Sequence, residues 1–305
     1  MTILVTGARG FIGRHLCATL AADGVPVAAI GRRPWSPAVA RAAGVAFWHE
    51  GEIDHDGLTR LAAAASPIEC VYHLAGGSSV GPSLAAPLTD FRNSVDTTAR
   101  LLEWLRIMAP DAGVVVASSA AVYGAAPHAP IAESAAIAPL SPYGVHKAIV
   151  EQLTASYAAS FGLRGAVVRL FSVYGPGLTK QLLWDVCGRC AAGPAVAVGG
   201  TGSEQRDWLH VDDAVALLRC AAGQVAAAPP FVNGGTGRGT SVRTAVDLVC
   251  AAWGDGRHAV FDGRDRAGNP LSLVAAIDRA QAMGFAATTS LAEGIASYVR
   301  WYRAR

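Results

Sequence analysis

The stretch Thr2-Ile3-Leu4-Val5-Thr6-Gly7-Ala8-Arg9-Gly10-Phe11-Ile12-Gly13 constrains this chain more than any other. Ile3, Leu4 and Val5 are a short unbroken apolar run, the pattern of a fully buried strand. Glycines follow at 7, 10 and 13, and Phe11, Ile12, Leu16 and Leu20 then begin a helix. Strand, glycine turn and helix in this order present free backbone N–H groups at a positive helix end, which is a seat for a phosphate. Gly7 permits the tight turn, Gly10 lets the backbone approach a pyrophosphate without a Cβ in the way, and Gly13 lets helix and strand pack closely. A glycine-rich turn between two core elements reads the same way locally; the strand before and the helix after favour the phosphate seat.

With 305 residues the chain has room for one large domain or two smaller ones. It is 52% hydrophobic and 16% charged, which implies a packed core and excludes a disordered chain. The net charge of +2, without a basic run or arm, gives no sign of a nucleic-acid partner. The apolar N-terminus runs straight into the glycine turn, so no secretory signal is read there. No apolar segment reaches the ~18–20 residues of a membrane helix. The expectation is a soluble, cytoplasmic protein with no membrane partner. Six cysteines do not suggest a disulfide scaffold. Cys187 and Cys190 form one C-x-x-C, which reads as two small core residues on one helical face, and no metal is expected.

Pro26 to Ile30 reads as a second strand ending in Gly31-Arg32-Arg33-Pro34. Dinucleotide folds usually place an acid here, about twenty residues beyond the glycines, to hold the adenosine ribose of NAD. Glycine and two arginines stand here instead. Guanidinium groups suit a 2′-phosphate, so NADP is favoured, NAD is not excluded, and a solvated basic turn is the plain alternative. Further strands are expected near Val45–Ile53, Cys70–Gly77 and Gly113–Ala117, with helices near Leu58–Ala65 and Asp90–Met108. This alternation predicts an α/β fold, a doubly wound parallel sheet of the Rossmann kind.

The chemistry gathers beyond the strand at 114–117, which ends in Ser118-Ser119; in open parallel sheets, ligands bind past the strands' carboxyl ends. Tyr143 and Lys147 follow at i and i+4 of a predicted helix, on one face. An ammonium beside a phenol favours the phenolate and is expected to lower the tyrosine from its usual ~10. A tyrosine so tuned removes a proton from a sugar hydroxyl as hydride leaves the carbon, or returns one to a ketone. Alone, such a pair is usually a surface contact; following the glycine turn and Ser119, the chemical reading is favoured.

These residues resemble the extended short-chain dehydrogenase/reductases, in their NAD-dependent epimerase/dehydratase branch, and most closely enzymes like UDP-galactose 4-epimerase. The resemblance rests on the glycine turn, Val71-Tyr72-His73-Leu74-Ala75, Ser118-Ser119-Ala120-Ala121-Val122-Tyr123-Gly124 and Tyr143-x-x-x-Lys147. Arg169-Leu170-Phe171-Ser172-Val173-Tyr174-Gly175-Pro176-Gly177 and Arg206-Asp207-Trp208-Leu209-His210-Val211-Asp212-Asp213 complete it. It implies Ser119, Tyr143 and Lys147 as the catalytic set. It implies Gly7, Gly10, Phe11, Ile12 and Gly13 at the pyrophosphate, Glu52 and Ile53 at the adenine, and Leu74, Ala75, Gly76 and Asn93 deeper along the cofactor. Arg32 and Arg33 would meet the adenosine ribose. Ser78, Ser119, Ser172, Arg206 and Arg266 would face the substrate, the arginines at its diphosphate and ribose; a diphosphate suits forked donors.

The chain departs from the family at Ser172, where asparagine is common, at Asn269 in Arg266-Ala267-Gly268-Asn269-Pro270, where aspartate is, and at Gly31. Ala120 and Ala121 stand where related 4,6-dehydratases carry Asp-Glu. Alanine moves no proton, which argues against a dehydratase. Residues 1–170 would form the dinucleotide-binding domain, with 204–235 returning to it, and 171–203 with 236–305 a smaller C-terminal substrate-binding region. Pro127-His128-Ala129-Pro130 marks a loop ahead of Tyr143. Helices near 93–108 and 143–161 have apolar faces on both sides; the resemblance implies that they pair into the four-helix bundle of a homodimer, and packing of the second face within the monomer is the alternative. Three functions remain open: a nucleotide-sugar 4-epimerase, favoured; an NADPH-dependent 4-keto-sugar nucleotide reductase, which Arg32 and Arg33 support; and a non-catalytic dinucleotide sensor.

Overall fold

The computed structural model describes residues 2–32, 34–65, 67–125, 130–264 and 270–305. Arg33, Arg266 and Asn269 lie outside the described residues, as does the loop at 127–129. The chain forms two compact units: residues 1–124, 137–169 and 215–232, and residues 125–136, 170–214 and 233–305.

In chain order the first elements are β1 (Thr2–Thr6), α1 (Phe11–Ala22), β2 (Val27–Gly31), α2 (Pro37–Ala42), β3 (Phe47–Glu50), α3 (His55–Ala65) and β4 (Ile68–His73). Next come α4 (Val80–Ala85), α5 (Pro87–Phe91), α6 (Thr97–Met108), β5 (Gly113–Ser119), α7 (Pro142–Phe161), β6 (Gly165–Leu170), β7 (Ser172–Tyr174), α8 (Gln181–Ala192), β8 (Ala195–Val198), β9 (Gln205–His210) and α9 (Val211–Ala222). The chain closes with β10 (Phe231–Gly234), β11 (Gly239–Ser241), α10 (Val242–Trp253), β12 (His258–Phe261), β13 (Ser272–Leu273), α11 (Asp278–Ala282) and α12 (Leu291–Arg303).

The first unit is built on a parallel sheet of seven strands in the order β10-β6-β5-β4-β1-β2-β3, the predicted doubly wound α/β fold. Strand order reverses between β1 and β4, where such sheets open a crevice for a ligand. Every residue of β1 is buried, as its apolar run requires. Leu4, Ile30, Val71 and Val114 from the strands pack with Leu58, Leu61, Leu101 and Leu105 from the helices. Each such side chain contributes about 1.5–3 kcal/mol by leaving water. The Trp104 indole, buried among them, donates to Thr59 Oγ1 at 3.0 Å.

Local signals place α7 accurately. The Ser141 hydroxyl accepts from the Gly144 N–H at 3.2 Å, Pro142 opens the helix, and Gly162 at φ +72° ends it. The segment expected to be one helix from 90 to 108 contains a π-helical turn at Arg92–Asp96, joining α5 to α6. Nothing in the composition there announces it.

In the second unit, β9 pairs with β11, β13 and β7, and β8 pairs with β12. Asp207 on β9 is fully buried, yet its carboxylate accepts from Thr236 N and Oγ1, Gly237 N and Ala275 N at 2.6–3.2 Å. That collar of donors makes a buried acid tolerable. Cys187 and Cys190 lie fully buried on one face of α8, and burial pushes both thiols up to about 12. Ser290 and Glu293 form a reciprocal cap at the start of α12. Among the described residues no helix is long and apolar enough to cross a membrane.

Candidate active site

The glycine turn is seated on the end of β4. Gly7 adopts φ +71°, and a Cβ there would stand 2.8 Å from backbone atoms of Leu74 and Ala75. A Cβ at Gly13 would stand 2.2 Å from the Gly7 carbonyl oxygen. Gly10 is the N-cap of α1 and supplies no side-chain cap. The first N–H groups of α1 are thus left for an anion, with no side chain at Gly10 in the way, and the turn suits a dinucleotide pyrophosphate. Phe11 and Ile12 open the helix, half-buried.

A buried relay fixes this junction. Thr98 Oγ1 donates to the Ser94 carbonyl at 2.6 Å, so it accepts from His73 Nε2 at 2.9 Å. His73 Nδ1 then accepts from Thr6 Oγ1 at 2.8 Å, and Thr6 Oγ1 accepts from Ala75 N at 3.3 Å. The hydrogen bonds assign the tautomer. Burial, with Lys147 adding to it, lowers His73 to about 3.

At the tip of β2, Gly31 meets an aromatic wall: a Cβ there would lie 2.9 Å from Trp48 Cη2. Trp48 packs edge-on against Trp35, and the Arg9 guanidinium lies 5.5 Å over Trp35. Arg32 is exposed beside Gly31. Glu52 is exposed, whereas Ile53 is a core residue.

Ser119 ends β5, and its hydroxyl accepts from Ala121 N at 3.2 Å and hydrogen-bonds the Tyr143 phenol. Tyr143 stands in the first turn of α7, its N–H bound to Ser83 Oγ at 3.1 Å. Lys147, one turn on, is buried and donates Nζ to the Ala117 carbonyl at 2.9 Å. Its Nζ lies 5.9 Å from the Tyr143 ring centre and 3.6 Å from where a Cβ would sit on Gly76, whose φ is +134°. The chain's fold thus brings Ser119, Tyr143, Lys147 and Gly76 together.

One expectation is corrected. The Tyr143 phenol is not lowered but raised, because burial outweighs the hydrogen bond from Ser119, and Asp90 adds negative charge nearby. Lys147 does not counter this: its ammonium is turned to a backbone carbonyl, and burial lowers it to about 8. The sequence displays the charges but not the loss of water around them.

Asn93 lies in the π-helical turn, whose Ser94 Oγ accepts from Gly77 N at 2.8 Å, and Ser78 is exposed in the loop that follows. In the second unit, Ser172 and Arg206 line a cavity of about 300 Å³. Arg206 Nη1 donates to the carbonyls of Gln205 at 2.7 Å and Pro270 at 2.9 Å.

Residues 3–234 match the NAD dependent epimerase/dehydratase family. The chain belongs to that family. A UDP-glucose 4-epimerase of Azospirillum brasilense is 34% identical over 306 residues, covering 91% of this chain and 84% of the relative. Among solved structures, MoeE5 in complex with UDP-glucose and NAD superposes with a TM-score of 0.87 at 34% identity, over 100% of this chain and 99% of MoeE5. The UDP-glucose 4-epimerase of Thermotoga maritima, solved with UDP-glucose, gives a TM-score of 0.89 at 28% identity, over 100% of this chain and 99% of that one.

In this member of the epimerase/dehydratase family Ser119, Tyr143 and Lys147 are backed by groups that the sequence motifs did not single out. Glu151 follows Tyr143 and Lys147 at i+8 on the same face of α7. It accepts from Ser118 Oγ at 2.5 Å and pairs in fork geometry with Arg169 at 2.9 and 2.8 Å. Arg169 Nη1 reaches the Tyr123 hydroxyl at 2.8 Å. Beside Lys147, His146 Nδ1 pairs with Asp90 Oδ2 at 2.6 Å, both buried. The i+4 repeat from Lys147 to Glu151 was available as a signal; the Asp90–His146 pairing, across 56 residues, was not.

Proposed function

We propose that the chain is an NAD(P)-dependent nucleotide-sugar 4-epimerase. The observation that carries this reading is the convergence of Ser119, Tyr143 and Lys147 beyond the end of β5, in a chain that also holds the glycine turn. Tyr143 takes the proton of the sugar's C4 hydroxyl and later returns it. Ser119, hydrogen-bonded to the same phenol, orients the hydroxyl. Lys147, whose Nζ is held at the Ala117 carbonyl, binds the nicotinamide ribose. When bound, the cofactor supplies the acceptor and donor of hydride, and in its oxidised form a positive charge near Tyr143. Burial raises the Tyr143 phenol, which suits a residue that must also hand the proton back.

Gly7, Gly10, Phe11, Ile12 and Gly13 would seat the pyrophosphate, and Leu74, Ala75, Gly76 and Asn93 the nicotinamide half. Arg206 supports a diphosphate role by its forked donors; Ser172 lines the same cavity, and Ser78 and Arg266 complete the proposed substrate set. Ala120 and Ala121, in the turn after Ser119, carry no proton-moving group, which speaks against elimination of water. Leu84, Leu88, Phe91 and Val145 on α4, α5 and α7, with Ile107, Met108 and Phe161 at the ends of α6 and α7, are exposed apolar residues that support a homodimer through these helices.

A second reading, a 4-keto-sugar nucleotide reductase using NADPH, draws on the tip of β2. A side chain at position 31 would press on Trp48, and Arg32 stands beside Gly31, an arrangement that suits a 2′-phosphate. The test is direct. Purified protein is assayed with UDP-hexoses and no added cofactor, then with NADPH and a 4-keto sugar nucleotide. Interconversion without net cofactor use is the expected result, and Tyr143→Phe should lower it about 10²–10⁴-fold. Stoichiometric NADPH consumption without interconversion would replace the epimerase by the reductase.

A further inference from the structure

The cavity of about 300 Å³ in the second unit contains a carboxylate whose purpose the catalytic set does not explain. Glu204, immediately before β9, and Arg206 and Trp208 on it stand two residues apart and all line the cavity, as the two-residue period of a strand requires. Glu204 is only 7% exposed. Among the described residues, no hydrogen bond or ion pair takes up its carboxylate. The chain passes tightly around it: a Cβ on Gly200, at φ +105°, would stand 3.1 Å from Oε1. Its own carbonyl is already used, accepting from Val242 N at 2.9 Å. Leu178, Leu182 and Val242 supply apolar wall.

A buried carboxylate without donors is costly, and the cost is recovered when a ligand supplies them. An ionised carboxylate only accepts, and its two oxygens match a pair of adjacent donors. Arg206, two residues along, only donates, and its charge is opposed by burial and supported by Glu204. The cavity therefore asks for a ligand with an anionic group and, near it, two neighbouring hydrogen-bond donors. Its volume is at the small end for ligand pockets and suits a nucleoside. A nucleoside diphosphate has donor pairs in two places: the 2′,3′-diol of ribose, and the amino-imide edge of guanine. Uracil and thymine present one N–H between two carbonyls, which a carboxylate would repel.

We infer that Glu204 is the nucleotide-selecting residue of this cavity, accepting a pair of donors from the nucleoside of the sugar nucleotide. This rests on the nucleotide-sugar reading above. The experiment is calorimetric titration of UDP, 2′-deoxy-UDP and GDP into the full-length protein and into Glu204→Gln, which keeps the shape and removes the charge. If ribose is the donor, the parent prefers UDP over 2′-deoxy-UDP by about 10- to 100-fold; if guanine is, it prefers GDP over UDP by a similar factor. Either preference should shrink to within about threefold in Glu204→Gln. A parent that binds all three within threefold overturns the inference, and this arm needs no variant to fold. Selectivity unchanged in Glu204→Gln overturns it too. Failure of all three to bind the parent would overturn the nucleotide-sugar reading with it, whereas binding without selectivity leaves that reading standing.

Discussion

Replacing Arg169 by methionine should be among the most damaging single changes away from Ser119, Tyr143 and Lys147. Arg169 and Glu151 are 5% and 4% exposed, so neither end of their forked pair is supported by water. Methionine fills most of the aliphatic stem but strands the Glu151 carboxylate with, among the described residues, only the Ser118 hydroxyl as donor, and takes the Arg169 donor from the Tyr123 hydroxyl. Removing one partner of a buried pair costs about 3–5 kcal/mol, and for a unit of this size that corresponds to a Tm lower by about 6–20 °C. The assay is urea unfolding at neutral pH with parent and variant compared at equal m. The decisive control is Arg169→Met combined with Glu151→Met. Exchanging both charges for apolar groups removes the stranded carboxylate, so the double variant should be more stable than the single one. A single variant that loses less than about 1 kcal/mol, or a double variant no better than the single, would refute the account of a mutually dependent buried pair.

Other outcomes follow from equally local geometry. Gly13→Ala drives a methyl into the Gly7 carbonyl and the Ala8 backbone and should cost about 1–3 kcal/mol, checked by the same unfolding assay. Lys147, lowered to about 8 by burial, loses its proton in the folded chain while the unfolded chain keeps it to about 10.5. Over that window the unfolded state binds more protons, so Lys147's contribution makes stability rise with pH, and Lys147→Met should flatten the slope measured by unfolding across it. Asp90→Asn removes negative charge that raises the Tyr143 phenol, so ultraviolet titration should find Tyr143 ionising at lower pH; no displacement would place Asp90 outside its field. Cys187 and Cys190 should escape alkylation at about pH 8 in the native protein and react once urea is added, read by peptide mass spectrometry.

Much of the first unit was legible because its signals are local. The apolar run of β1 and the glycine spacing fix the turn onto α1 in a dozen residues, and Ser141, Pro142 and Gly162 bound α7, which delivers Tyr143 and Lys147 to one face. The π-helical turn at Arg92–Asp96 was not legible, since an inserted backbone hydrogen-bond register leaves the side-chain pattern almost unchanged. The direction of the Tyr143 shift was misread for a related reason: spacing places a lysine nearby but does not reveal that Ala117 engages it or that the phenol is enclosed. The short strands of the second unit, β7, β11 and β13, exist through their pairing with β9 and have little pattern of their own. Glu204 was passed over beside the more conspicuous Arg206, because only the fold shows a carboxylate enclosed without donors.

The relay through His73 has a consequence for turnover. With its pKa near 3, the imidazole gains no charge across the neutral range, even with Lys147 close by. Each hydrogen in the chain from Ala75 through Thr6, His73 and Thr98 to Ser94 already has its acceptor, so inverting the chain would require several groups to turn at once. The floor beneath the glycine turn is therefore electrically inert. A change of charge at Tyr143 or Lys147 finds nothing there to titrate, and the hydrogen bonds beneath the glycine turn keep their one direction.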